Sequence, residues 1–190
     1  MNMIPGMYIT LMPVILAGIL NMIFVKTPFY KRWKYPIDGG RCFSDGKRIF
    51  GDNKTWIGFF SMIVISILTS VLWGEFCKVT DLEKMNELYV IYRNDFWYNV
   101  SVGAYFGFSY MLFELPNSFV KRRIDIEPGK TQNILFFVID QIDSLFGVML
   151  ILFVTSRIPV WKYFLYIIVG GFTHISINLV LYRLKVRRNL

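Results

Sequence analysis

The chain has 190 residues, 55% hydrophobic and 18% aromatic, and only 18% are charged, against roughly 25% in a soluble domain. Its mean hydropathy of +0.46 excludes disorder, collagen and a nucleic-acid-binding tail. Yet 21 Lys and Arg face 13 Asp and Glu, for a net charge of +8. Such a chain suits a membrane protein whose cations sit at the lipid surface or face an anionic ligand.

A helix that crosses a bilayer needs about 20 mostly apolar residues. Five stretches reach or approach this: 7–25, 56–74, 96–115, 134–154 and 160–182. No Lys or Arg precedes Lys26, so the first stretch lacks the basic start of a cleaved leader and is expected to stay in the membrane. The third stretch is the most polar, with Asn99, two serines and Glu114. The fourth carries Asp140 and Asp143 near its start. The fifth repeats His174, Asn178 and Tyr182 at i, i+4, i+8, a polar stripe along one helix face.

Sixteen of the 21 cations fall in residues 26–55, 121–130 and 183–190. The excess of cations on the inner side of membrane proteins then puts these segments in the cytoplasm. The expected fold is all-α: one polytopic domain over residues 1–190 with five transmembrane helices, N-terminus outside and C-terminus cytoplasmic. It would sit in the cell membrane with its working face inward. Cys42 and Cys77 have no metal-ligand spacing and fall on opposite sides of the membrane in this topology.

Chemistry concentrates on the inner side. Between Pro36 and Gly58, Gly39, Gly40, Gly46 and Gly51 alternate with Arg41, Lys47, Arg48 and Lys54. Glycines let a backbone approach a ligand, and interleaved cations neutralise phosphates. The segment is not a Walker A loop, because Asp52 stands where lysine is required. Thr55 opens the next helix, whose N-terminus favours an anion. A basic loop that only touches anionic lipid is the plainer alternative, although three acids inside it argue against that.

If the third helix continues past Pro116, Glu114, Ser118 and Arg122 share a face with Lys121 beside them. A carboxylate at that depth needs a partner or a role. A snorkelling basic flank with one ion-paired Glu is the alternative. Asp140 and Asp143, at i, i+3, resist joint ionisation unless a cation lies between them, and such ligands suit Mg²⁺. Two interfacial acids bound to Lys or Arg would look the same. His174 is the only histidine, and a lone histidine serves packing as readily as catalysis. Cations, glycines and paired acids on one side of a membrane fit nucleotidyl or phosphoryl transfer between two polyanions, which needs mainly positioning and charge neutralisation.

These residues resemble those of the CDP-archaeol synthase family, within the wider group of phosphatidate cytidylyltransferases. Pro36, Asp38, Gly39, Asp45, Gly46, Arg48, Gly51, Lys54, Thr55 and Gly58 follow its P-x-D-x-G…D-G-x-R-x-x-G-x-x-K-T-x-x-G pattern. Ser118, Lys121 and Arg122 match S-x-x-K-R, and Asp140 and Asp143 match D-x-x-D. His174, Asn178 and Tyr182 resemble the closing helix of the archaeal branch. The resemblance implies a Mg²⁺-dependent enzyme that joins CTP to an anionic glycerolipid phosphate within membrane lipid, giving a CDP-lipid and pyrophosphate; the wider group also suggests a homodimer.

Carried over by position, Lys121, Arg122, Asp140 and Asp143 are catalytic. Ser118, His174 and Asn178 join Asp45, Gly46, Arg48, Gly51, Lys54 and Thr55 in binding substrate, and Glu114, Asp140 and Asp143 hold metal. One departure stands out: Phe113-Glu114-Leu115 replaces Gly-Asp-Leu. The extra methylene of Glu114 moves its carboxylate by about 1 Å. This motivates a second reading, a noncatalytic relative that binds lipid phosphate or nucleotide. A small transporter ranks below both, since the charges crowd one face and no repeat is visible.

Overall fold

Runs of apolar residues on all sides, without a wet face, become long helices that satisfy their own backbone hydrogen bonds. The computed structural model describes residues 3–130, 134–156 and 158–183. In chain order it has α1 (Met3–Phe24), α2 (Pro28–Arg32), α3 (Trp56–Val79), a 3-10 turn (Leu82–Met85), α4 (Glu87–Ile91), α5 (Phe96–Arg123), α6 (Ile134–Ser156) and α7 (Val160–Arg183). Among the described residues the only extended pairings are two isolated bridges, Pro36 with Thr55 and Cys42 with Arg48. Arg157 and the basic tail beyond Arg183 lie outside the described residues.

Among the described residues, four helices (α1, α3, α6 and α7) are long and apolar enough to cross a membrane. The 22 residues of α1 span about 33 Å at 1.5 Å per residue, against a hydrocarbon core of about 30 Å. Only 33% to 39% of each apolar window is buried inside the protein. Leu72 and Phe172 are 69% and 70% exposed, which water would not tolerate over so wide a surface. The fifth long helix, α5, has 28 residues and runs unbroken through Pro116 to three basic residues.

α5 packs chiefly on α3 and α6. Glycines set its distance from both. A Cβ on Gly103 would lie 2.6 Å from the Ile67 Cα, and one on Gly107 2.6 Å from the Ile63 Cα, so backbones touch along the α3 seam. Gly147 of α6 leaves room for the Phe113 ring in the same way. The main core joins Met7, Leu11 and Val14 of α1 to Phe106, Met149 and Tyr166. A smaller cluster of Ala17, Phe59, Met62 and Met111 forms a second apolar core.

At the end of the bundle where α3 gives way to α5, buried amides satisfy one another. Asn99 donates to Asn94 Oδ1 (2.7 Å) and accepts from the Tyr89 hydroxyl (2.8 Å), while Asn94 donates to the Gly74 carbonyl and to Glu83. Cys77, in α3, is buried and Cys42 is exposed, both as free thiols.

Candidate functional site

The loop between α2 and α3 is organised around one buried carboxylate. Asp38 accepts from the Gly40, Phe50 and Gly51 amides at 2.9–3.0 Å and pairs with Arg48 at 2.7 Å. Burial alone would raise this carboxyl; Arg48 and the three amides outweigh it and hold it well below the usual carboxylate range. Gly51, at φ +101°, lets the chain pass Pro128, whose Cγ would lie 2.9 Å from a Cβ there.

The loop then docks on the end of α5. Arg123 donates to the Lys47 and Arg48 carbonyls, lies 3.0 Å from Asp45, and sits over the rings of Phe43 and Phe119. Lys47 returns to Asp125 at 2.7 Å. Docking carries Lys54 and Thr55 inward. Thr55 caps α3 by accepting from the Gly58 amide and shares a hydrogen bond with the Tyr30 hydroxyl of α2.

Beneath this loop lies a cavity of about 830 Å³. Ten of the fourteen candidate site residues line it: Lys54 and Thr55 from the loop, Glu114, Ser118, Lys121 and Arg122 from α5, Asp140 and Asp143 from α6, and His174 and Asn178 from α7. Asp45, Gly46, Arg48 and Gly51 do not line it. Three of these build and dock the loop, and Gly46 turns it at φ +77°. Tyr182 also stays off the cavity and is exposed.

The charged groups are held in defined pairs. Lys54 donates to Glu114. Burial alone would lower the Lys54 pKa, but Glu114, with Asp143 and Asp140 beyond it, raises it above the usual lysine value. Lys121 pairs with Asp140 at 2.7 Å. Arg122 is 7% exposed and has no ion-pair partner among the described residues. Its only side-chain hydrogen bond there is a long one, 3.5 Å, to the Ser118 carbonyl. Asp140 and Glu127 act on this guanidinium only from beyond ion-pair distance, which leaves its donors suited to a phosphate.

Sequence reasoning missed Asn117 and Gln141. Asn117 donates to both carboxylates, Asp140 at 2.7 Å and Asp143 at 2.8 Å. Its Oδ1 is buried with no hydrogen-bond partner among the described residues. Gln141 accepts from the Asn178 amide through its side chain and contacts His174 Nδ1 (3.0 Å) through its carbonyl. The signal for Asn117 was available: it lies at i+3 from Glu114 and i−4 from Lys121, on the same helix face.

No three His, Cys, Asp or Glu side chains among the described residues converge to hold a metal ion. Glu114 is engaged by Lys54. Asp140, although paired with Lys121, and Asp143 are linked through the Asn117 amide nitrogen and still form a pair of hard oxygen donors that fits Mg²⁺, which commonly takes one or two carboxylates and completes its shell with substrate phosphates. Phe113, the other departure from the family pattern, stays off the cavity and lies against Gly147.

A family model described as CarS-like, CDP-archaeol synthase, matches residues 4–189. The CDP-archaeol synthase of Archaeoglobus fulgidus is 34% identical over 161 residues, covering 80% of this chain and 82% of that protein. That of Methanosphaerula palustris is 32% identical over 165 residues, covering 80% and 87%. That of Pyrobaculum aerophilum is 30% identical over 161 residues, covering 83% and 82%. A solved structure described as an intramembrane enzyme for archaeal membrane lipids biosynthesis superposes with a TM-score of 0.63 at 20% identity, over 90% of this chain and 92% of that one. This last likeness concerns the fold.

Proposed function

Because the chain belongs to the CDP-archaeol synthase family, we propose that it is an integral membrane cytidylyltransferase that converts CTP and a glycerolipid phosphate into a CDP-lipid and pyrophosphate. The observation that carries this reading is the buried, unpaired Arg122, which faces the same cavity as Asp140 and Asp143. All five long helices cross the cell membrane on this reading. The cavity opens to the cytoplasm, where CTP is found, in keeping with the basic loops around it.

Arg122, Lys121 and Ser118 bind phosphate oxygens and hold the two anions together despite their repulsion. An oxygen of the lipid phosphate attacks the α-phosphorus of CTP, and the bond to the β-phosphate oxygen breaks to release pyrophosphate. Asp140 and Asp143, oriented by the Asn117 amide nitrogen, would hold Mg²⁺, which when bound neutralises charge developing on the phosphates. Glu114 fixes Lys54 at the cavity wall, so its contribution is through that cation. His174 and Asn178 are held from behind by Gln141 and shape the α7 wall.

Purified protein in detergent with Mg²⁺ should form CDP-lipid from CTP and phosphatidate or an archaeal ether-lipid phosphate, and Asp143→Asn should abolish this. No product with either lipid would overturn the proposal. The Lys54–Glu114 pair, which takes one family carboxylate away from the metal, favours the second reading of a noncatalytic relative; CTP and Mg²⁺ binding without turnover would support it.

A further inference from the structure

Two cations at the cavity have no partner among the described residues and no task in the reaction just described. Lys26 and Lys31 both line it, on either side of the start of α2, and neither makes an ion pair or side-chain hydrogen bond among those residues. Lys54 and Lys121, by contrast, are matched to carboxylates. Around Lys26 and Lys31 the surface is aromatic: Phe29, Trp33, Tyr35 and Trp56 are exposed. Such rings collect at the headgroup level of a bilayer. The two lysines therefore stand where the phosphate of a membrane lipid lies, at the rim of the cavity that holds the reacting groups.

A second, narrow and largely apolar cleft lies beside that cavity along α1. Leu11, Val14, Ile15, Gly18, Ile19 and Met22 line one wall, and Leu145, Gly170 and Ile177 line the other. Gly18, Met22, Tyr110 and His174 line both spaces, so the two are adjacent. From Leu11 to Met22 is about 16 Å of helix, roughly half the ~30 Å hydrocarbon core, or one leaflet. α1 meets α7 only lightly, so the cleft runs along a weakly packed seam.

We infer that Lys26 and Lys31 seat the phosphate of the glycerolipid substrate at the membrane surface, and that one of its hydrocarbon chains lies in the cleft between α1 and α7. The occupant is a single lipid monophosphate. Paired charges on the phosphate match the two lysines, and the largely apolar walls of the cleft match a hydrocarbon tail. This rests on the cytidylyltransferase reading and adds to it a lipid subsite separate from the nucleotide side of the cavity.

The test separates lipid from nucleotide and headgroup from chain. In detergent-solubilised full-length protein, Lys26→Glu/Lys31→Glu should raise KM for dioleoyl phosphatidate about tenfold more than KM for CTP. Gly18→Leu, at the junction of the two spaces, should lower the ratio of kcat/KM for dioleoyl over dihexanoyl phosphatidate about tenfold. Its Cβ would meet only the Tyr110 hydroxyl, at 3.9 Å, and an unchanged thermal midpoint and CTP KM show that the variant is folded. Equal effects on both substrates, or an unchanged chain-length ratio, would overturn the inference. Native mass spectrometry without CTP reads the seat even if no turnover occurs: dioleoyl phosphatidate adducts should be retained by the native protein and lost in the double variant. Adducts that persist in the variant, or glycerol 3-phosphate binding as tightly as the lipid, would also overturn it.

Discussion

The two ends of the helix bundle bury similar groups in opposite ways. At the Asn99 end, amides, a tyrosine hydroxyl and a carboxylate close on one another, and both sides of the Asn99 amide are used. At the Asn117 end, the same side-chain type holds two carboxylates with its nitrogen and leaves its oxygen, among the described residues, without a partner beside a cavity. A buried amide is costly unless satisfied. The first arrangement spends its polarity on stability, and the second leaves part of it unmatched next to the two carboxylates.

Exchanging the two asparagines for apolar residues should separate these roles. The largest effect is expected for Asn117→Leu, which releases Asp140 and Asp143 from their shared donor. CDP-lipid formation should fall about 10- to 100-fold, as for residues that orient metal ligands, while the thermal midpoint in detergent moves little. A drop in midpoint without loss of turnover would make the open end structural after all. Asn99→Leu should do the reverse. It strands Asn94 and the Tyr89 hydroxyl, costs about 1–3 kcal/mol of stability, and leaves kcat near that of the native protein when assayed below its midpoint.

The smallest effect concerns the docked loop. Asp38 has a folded-state pKa below its ordinary value of 3.8. Its ionised form therefore contributes stability above that value, and this is lost as the pH falls through the lower, folded-state pKa. Limited proteolysis between α2 and α3 should quicken below about pH 4. Asp38→Asn should be cleaved readily at all pH values, with the acid-dependent change gone.

Much of this was legible in the residues. Apolar runs located the helices, and helical spacing on α5, α6 and α7 identified groups that do share one cavity. The long-range pairings were not legible. Asp45 and Arg48 look like ligand residues because they are charged and lie in a glycine-rich loop; their pairings with Arg123 and Asp38, which hold that loop in place, could not be read there. Lys54 meets Glu114 across 60 residues, a pairing no local periodicity contains. Asn117 was legible only on the condition that α5 runs on through Pro116, which it does; its spacing from Glu114 and Lys121 then puts it on their face.

The glycine seam between α3 and α5 also governs how this protein can change. A single methyl at Gly103 or Gly107 would push apart two backbones and, with them, the face that carries Glu114, Asn117, Lys121 and Arg122. α7 is tied to the same groups, since His174 and Asn178 bond Gln141 beside Asp140, whereas the α1 wall of the cleft carries none of them. Laboratory selection for a different lipid tail should therefore accumulate its substitutions on α1 and leave Gly103 and Gly107 untouched, so that tail preference can drift while the chemistry stays in place.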